Sequence, residues 1–408
     1  MRCSIRLTLG VLLALVTLLL PARPAAAIPP TPPPPFEISV DRSFDSGVTD
    51  GFSVVWVDQP TSGDATYRLQ AHSPTKSAPL VLSDKLGSAY YHAPLSPSYA
   101  LSSGKLLWID TSATGLELDP AAKLVLTDLG SGESRQIAQG RVIFPGLDGQ
   151  VATWWEVDDA GVRHLMRSTI DGSSEPADLF QLTGSFYGGF TSKTSSRWVV
   201  WAARDVKFVG RDQCWSLYVL SLDSAEQPRR IKGAGCDFPG AQYDLAGDTL
   251  AYVSDEGLLQ VSDLTGGREI STSGPHGSVR LSTNGQYVFW SKQDALWGFD
   301  PRSNSAFLVG QASDLDYRLS ARGASLLWRQ ADRLRLTRVE HLLPTSPRSP
   351  AEGSRHFPET NHTLGGEFLA YWSRNGGLPV FGYPLTEEFM QKNASDGKGY
   401  AVQYLERQ

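Results

Sequence analysis

The chain of 408 residues carries 37 basic against 43 acidic residues, a net charge of −6, with 41% hydrophobic and 20% charged side chains. That balance excludes a disordered composition, and an acidic chain without a basic run argues against nucleic acid or an anionic membrane surface as partner. The length suits two or three average domains, or one large repeat array with a smaller module beside it.

The first 27 residues combine Arg2 and Arg6, the apolar stretch Leu7 to Leu20 and the small-residue site Ala25-Ala26-Ala27. This predicts a secretory signal peptide over 1–27, because an apolar core of about 14 residues is short against the ~20 that a bilayer needs. Cleavage would remove Arg2, Arg6 and Arg23, leave 34 basic against 43 acidic residues, and rule out membrane insertion of the mature chain. Cys3 lies in the basic start, away from the cleavage site, so a lipid-anchoring cysteine is not indicated. Residues 28–35, with six prolines, read as a polyproline II spacer.

From Phe36 to about Leu343 one short apolar run ending in an aromatic returns seven times. The versions are Val54-Val55-Trp56, Leu106-Leu107-Trp108, Thr153-Trp154-Trp155, Val199-Val200-Trp201, Leu250-Ala251-Tyr252, Val288-Phe289-Trp290 and Leu326-Leu327-Trp328. Most follow a turn signal: Asp50-Gly51, Ser103-Gly104, Asp148-Gly149, Ala246-Gly247, Asn284-Gly285 or Arg322-Gly323. After each come a second strand, such as Lys123 to Thr127 or Leu217 to Leu222, a polar turn, and a short third strand, such as Gln136 to Ala138. A lead-in strand such as Val142-Ile143-Phe144 then opens the next unit, which makes four strands per unit.

Runs such as Val54-Val55-Trp56-Val57 do not alternate apolar with polar, so both faces of these strands are expected to be buried. Four-stranded units covered on both faces by their neighbours are the blades of a β-propeller. Trp56 to Trp328 spans 272 residues in six intervals, about 45 each. The fold class predicted is therefore all-β, a propeller of seven four-stranded blades over 36–343, with six blades as the alternative. The seventh unit lacks a last strand and Phe36 to Val40 is spare, so the N-terminal strand is expected to close the ring as the outermost strand of the last blade.

Two cysteines outlast the signal peptide, Cys214 and Cys236, and an exported pair is expected to be joined. If the intervening turn centres on Ala225, residues whose numbers sum to 450 stand opposite each other, and these two do. Two separate buried thiols are the alternative.

These blades resemble the exported propellers of the TolB-like and YVTN classes, whose units carry a turn, an aromatic-ended strand, a leucine-tyrosine strand and an Asp turn. The resemblance covers about three quarters of the chain and implies a binding scaffold; the usual Ser-Pro-Asp-Gly turn survives only as fragments such as Ser282-Thr283-Asn284-Gly285.

Residues 344–354 form a second proline-rich linker. Beyond it, Phe368, Leu369, Tyr371 and Trp372 fall at helical spacing over Gly366 to Asn375 with Gly376-Gly377 as a stop. Thr386-Glu387-Glu388 reads as a helix cap with an acidic first turn, and Asp396-Gly397 as a turn into the strand Tyr400 to Leu405. Residues 355–408 are thus a small α+β module. The run from Gly377 to Glu388, with Phe381-Gly382-Tyr383-Pro384 at its centre, resembles the LGFP repeat of bacterial surface proteins. That resemblance implies association with the cell wall or surface; the family continues into another strand where this chain stops, which leaves an incomplete module as one alternative. Tyr371, Trp372, Phe381, Tyr383 and Tyr404 could form a sugar-stacking platform or the core of a small domain.

No catalytic constellation appears. The seven histidines include no pair at helical metal-ligand spacing, and no Gly-x-Ser-x-Gly elbow is present. Asp158-Asp159 and Asp171-Gly172 read as paired carboxylates or as solvated hairpin turns. No cofactor and no metal are expected. The expected function is a secreted or cell-surface, non-enzymatic propeller that binds a protein or a cell-wall glycan. The alternative is a secreted glycan hydrolase or lyase with loop carboxylates at the channel mouth.

Overall fold

Each aromatic-ended run is the second strand, counted from the inner edge, of its own four-stranded antiparallel sheet, and there are seven such sheets. The computed structural model describes residues 36–39, 46–58, 67–73, 76, 78–86, 98–111, 119–183, 191–204, 215–224, 226–231, 243–254, 256–272, 280–292, 295–311, 319–330, 333–343, 353–360, 362–385, 389–392 and 399–407. Residues 1–35 and most of 344–354, where a signal peptide, a spacer and a linker are expected, lie outside them. Blades 1 to 6 occupy 46–86, 99–139, 142–182, 191–231, 243–272 and 280–311. Blade 7 takes three strands from 320–338 and its outermost strand from Phe36–Ser39. Phe36 stands opposite Leu336 and Ser39 opposite Arg333, and the Glu37 carboxylate bridges Arg333 at 2.9 Å and Arg335 at 3.0 Å. The N-terminal closure expected from the spare strand is thus present.

Successive inner strands touch all the way round, and the inner strand of blade 1 (Ser46–Thr49) meets that of blade 7 (Ser320–Arg322), so the ring is closed. The lack of alternation in the aromatic strands has the expected cause: Val54, Val55, Trp56 and Val57 are all at most 2% exposed, packed between adjacent blades. The core is a series of wedges. Trp155 of blade 3 meets Trp201 of blade 4 edge-on at 5.5 Å, and Tyr218 stacks on Trp201 at 5.7 Å. Large flat side chains fill such wedges with much apolar area per residue.

The inner turns need glycine. Gly51 has φ +99°, and a Cβ there would lie 3.0 Å from the Arg322 carbonyl oxygen of blade 7, so both conformation and the approach of the neighbouring turn require hydrogen at that position. The outer turns are fixed by aspartate: Asp128 Oδ1 accepts the Gly130 and Ser131 N–H groups, and Asp263 Oδ1 those of Thr265 and Gly266.

After the ring come a hairpin of Arg355–Phe357 and His362–Leu364, helix α1 (Gly366–Arg374), the short helix α2 (Gly377–Phe381) and a hairpin of Phe389–Lys392 with Gly399–Val402. Helix α1 lies where the spacing predicts it. Residues 386–388, where the helix cap is expected, lie outside the described residues; from Phe389 the chain is extended and pairs with Gly399–Val402. Ring and module both fall within one compact unit, Pro32–Gln408. Among the described residues no helix is long and apolar enough to cross a membrane.

Candidate functional site

The turns joining the first and second strands stitch the blades together. Gly104 N–H donates to Asp50 Oδ2 at 2.6 Å, Gly149 N–H to Ser102 Oγ at 3.0 Å, and Ser196 N–H to Asp148 Oδ2 at 2.7 Å. Trp198 Nε1–H donates to Asp248 Oδ1 at 2.8 Å, Thr249 Oγ–H to the Gly285 carbonyl at 3.1 Å, and Asn284 Nδ2–H to the Gly323 carbonyl at 2.7 Å. Ser325 Oγ–H closes the circle on the Gly51 carbonyl at 2.9 Å. Every one of the seven blade junctions therefore carries a hydrogen bond at the same level.

The strongest charge cluster sits on the inner strands of blades 4 to 7. Asp244, on Tyr243–Ala246, is 2% exposed. Its Oδ2 accepts from Ser282 Oγ at 2.8 Å, Thr283 N–H at 2.9 Å and Arg322 Nη1 at 2.9 Å, while Oδ1 accepts from Arg322 Nη2 at 3.2 Å. Lys193 Nζ lies 3.8 Å from the same carboxylate. Arg322 reaches past blade 6 to do this, and on the way its Nη1 donates to the Thr283 carbonyl at 2.8 Å. Burial pushes the Asp244 carboxyl up, but the charges of Arg322 and Lys193 and the hydrogen bonds outweigh it and hold the pKa at about 2. A carboxylate held ionised by four hydrogen bonds is a weak base near neutral pH.

The carboxylates weighed as acid–base candidates are turn caps. Asp158 Oδ1 accepts the Val162 N–H at 2.8 Å, and Asp171 Oδ1 the Ser173 N–H at 2.8 Å. His164 Nδ1 lies 2.8 Å from Asp178 Oδ2 and Nε2 3.5 Å from Asp158 Oδ2, and these carboxylates, Asp178 first, raise its pKa. Among the described residues no group of three His, Cys, Asp or Glu side chains is placed to hold a metal ion.

The five module aromatics do not share one surface. Trp372 and Phe381 are 5% and 4% exposed in the module core with Phe357 and Leu364, and Trp372 Nε1–H donates to the Gly382 carbonyl. Tyr383 packs edge-on to Phe357 at 6.1 Å, whereas Tyr371 is 60% exposed beside Phe381. Tyr404 faces the ring, meeting Trp297 of blade 6 edge-on at 5.4 Å, and buried His362 places Nε2 3.1 Å from the Ala306 carbonyl of the same blade. The module is docked on blade 6.

Cys214 and Cys236 lie outside the described residues. The neighbouring strands Trp215–Ser221 and Arg229–Ile231 pair Leu217 with Ile231 and Val219 with Arg229, so opposed numbers sum to 448 instead of 450. The pairing centres on residue 224, one position before Ala225, on which the direct opposition of the cysteines rests.

Sequence reasoning did not single out Lys193 or Asp244, and it met Ser282 and Arg322 only as parts of turn signals. These residues come together through ring closure across four blades, which leaves no spacing rule in the chain.

No family model matches the chain, and no curated protein matches it. Among solved structures it is similar to the beta-propeller domain of the Trilobed protease from Pyrococcus furiosus, with TM-score 0.49 and 10% identity over 72% of this chain and 93% of that one. It is similar to a chain of the Mitotic Checkpoint Complex at TM-score 0.48 and 12% identity, covering 78% and 99%. A third is oligogalacturonate lyase in complex with manganese, at TM-score 0.45 and 12% identity, covering 76% and 99%. At these values the likeness says nothing about activity.

Proposed function

We propose that the chain is a secreted, non-enzymatic propeller that serves as a binding scaffold, with its C-terminal module providing attachment to the cell surface. What supports the scaffold reading is the saturation of the inner charges: Asp244 and Arg322 satisfy each other and the backbone of blade 6. Such a network fixes the ring and engages the strongest charge cluster among the described residues. The signal-like start and the LGFP-like run support export and attachment.

The test is a chain ending at Leu343. It is expected to stay soluble and melt cooperatively, slightly below the full mature chain because Trp297 loses its cover, and to stop sedimenting with bacterial cell envelopes. Sedimentation undiminished by the truncation would move attachment to the ring. A glycan hydrolase or lyase activity that disappears in Asp244→Asn would overturn the non-enzymatic reading.

A further inference from the structure

A cavity of about 430 Å³ lies between the outer strand of blade 3 and the turn joining the last two strands of blade 4. That volume is at the lower end of the range of ligand pockets. Its apolar lining comes from Leu179, Phe180 and Leu222, and its acidic lining from Asp178, Asp223 and Glu226. Phe180 lies 5.5 Å from buried Trp201, so the apolar side is continuous with the core between the two blades and is held rigid from behind.

Local structure explains why two consecutive apolar residues stand here. Opposite the blade 3 strand Arg163–Thr169, Leu165 pairs with Phe180 and Met166 with Asp178, which leaves Leu179 as the extra residue of a bulge. A bulge breaks the two-residue alternation and re-aims its side chains; Leu179 and Phe180 are both half-buried. The strand they belong to, Ala177–Leu182, is outermost in its blade, and among the described residues no strand pairs with its second edge.

Among the described residues, one of the three acids at the groove is left without an ion-pair partner. Asp178 is met by His164, and Asp223 by Arg197 Nε at 3.1 Å. The exposed Glu226 carboxylate has no ion-pair partner among the described residues. Arg167 Nη1 also donates to the Leu222 carbonyl at 2.7 Å, so Glu226 is the carboxylate left unpaired beside the apolar floor and the open sheet edge. An extended peptide can add to such an edge through its main chain while its side chains enter the neighbouring pocket.

We infer that this groove binds an extended peptide segment of a partner protein that presents an arginine or lysine beside an aliphatic residue. The inference rests on the scaffold reading and names its ligand class, but its test is independent of envelope attachment. The probes are the peptide acetyl-Ser-Val-Arg-Leu-Ser-amide and its counterpart with glutamine for arginine, titrated calorimetrically into the full mature chain. The arginine peptide is expected to bind about threefold more tightly at low salt, because Glu226 is the one unpaired carboxylate and a single exposed ion pair contributes modestly. Glu226→Gln, in an exposed turn, is expected to cut that preference about threefold with an unchanged melting temperature, and Leu179→Ser to weaken both peptides. Raising the salt to about 0.5 M is expected to remove most of the preference. Equal affinity for the two peptides, no binding of either at millimolar concentration, or a preference untouched by Glu226→Gln would each overturn the assignment, whatever the sedimentation result.

Discussion

Replacing Asp244 by alanine would test whether the inner charge network holds the ring. The substitution leaves Arg322, whose side chain is 31% exposed, with its main counter-charge gone, and it orphans the Ser282 hydroxyl and the Thr283 N–H. Removing one partner of a buried ion pair costs about 3–5 kcal/mol, and the partial exposure of Arg322 puts the expectation near the lower figure. For a domain of this size that is a fall of roughly 6 °C in melting temperature. Calorimetry on the single variant and on Asp244→Leu with Arg322→Leu would separate charge from packing, since a well-packed apolar pair is expected to recover most of the loss. The pH dependence has a definite sign. The folded-state pKa of about 2 lies below the ordinary 3.8, so the contribution is complete above about pH 4 and is lost as pH falls toward 2. Asp244→Ala should lack that part of the acid-induced loss. A variant within about 1 kcal/mol of the parent would refute the reasoning, because it would mean that water already satisfies these groups.

Gly51→Ala is expected to cost about 1–3 kcal/mol, since alanine must adopt φ near +99° and its methyl meets the Arg322 carbonyl; an unchanged denaturant midpoint would contradict the close approach. Trp297→Ala should loosen the module while leaving the ring intact, read as faster proteolysis between residues 344 and 407 with little change in the main melting transition; protection equal to that of the parent would show that the Tyr404 contact is dispensable. If Cys214 and Cys236 are joined, Cys214→Ser lowers the non-reducing melting temperature by the equivalent of ~3 kcal/mol for a loop of twenty-odd residues, and native alkylation of both thiols would dispose of the bond.

The sequence alone put seven blades ahead of six and placed the closing strand at Phe36 to Val40. Each blade must bury both faces of its second strand, so Val54-Val55-Trp56-Val57 and its six counterparts are written as unbroken apolar runs, and a local pattern of that kind is visible without any fold. The turn glycines and the outer-turn aspartates are equally local, because φ and hydrogen bonds two or three residues away fix them. Helix α1 was legible for the same reason, whereas the strand at Phe389 was not, since its partner lies across a turn at Gly399–Val402. Only the tertiary structure decided which polar residues meet. Asp244 and Arg322 stand 78 positions apart and touch because blades 5 and 7 curve toward each other around blade 6. Tyr404 and Trp297 meet because the module folds back on a blade that ended some ninety residues earlier. Such contacts depend on ring curvature and on the docking of one unit against another, and neither leaves a period in the chain.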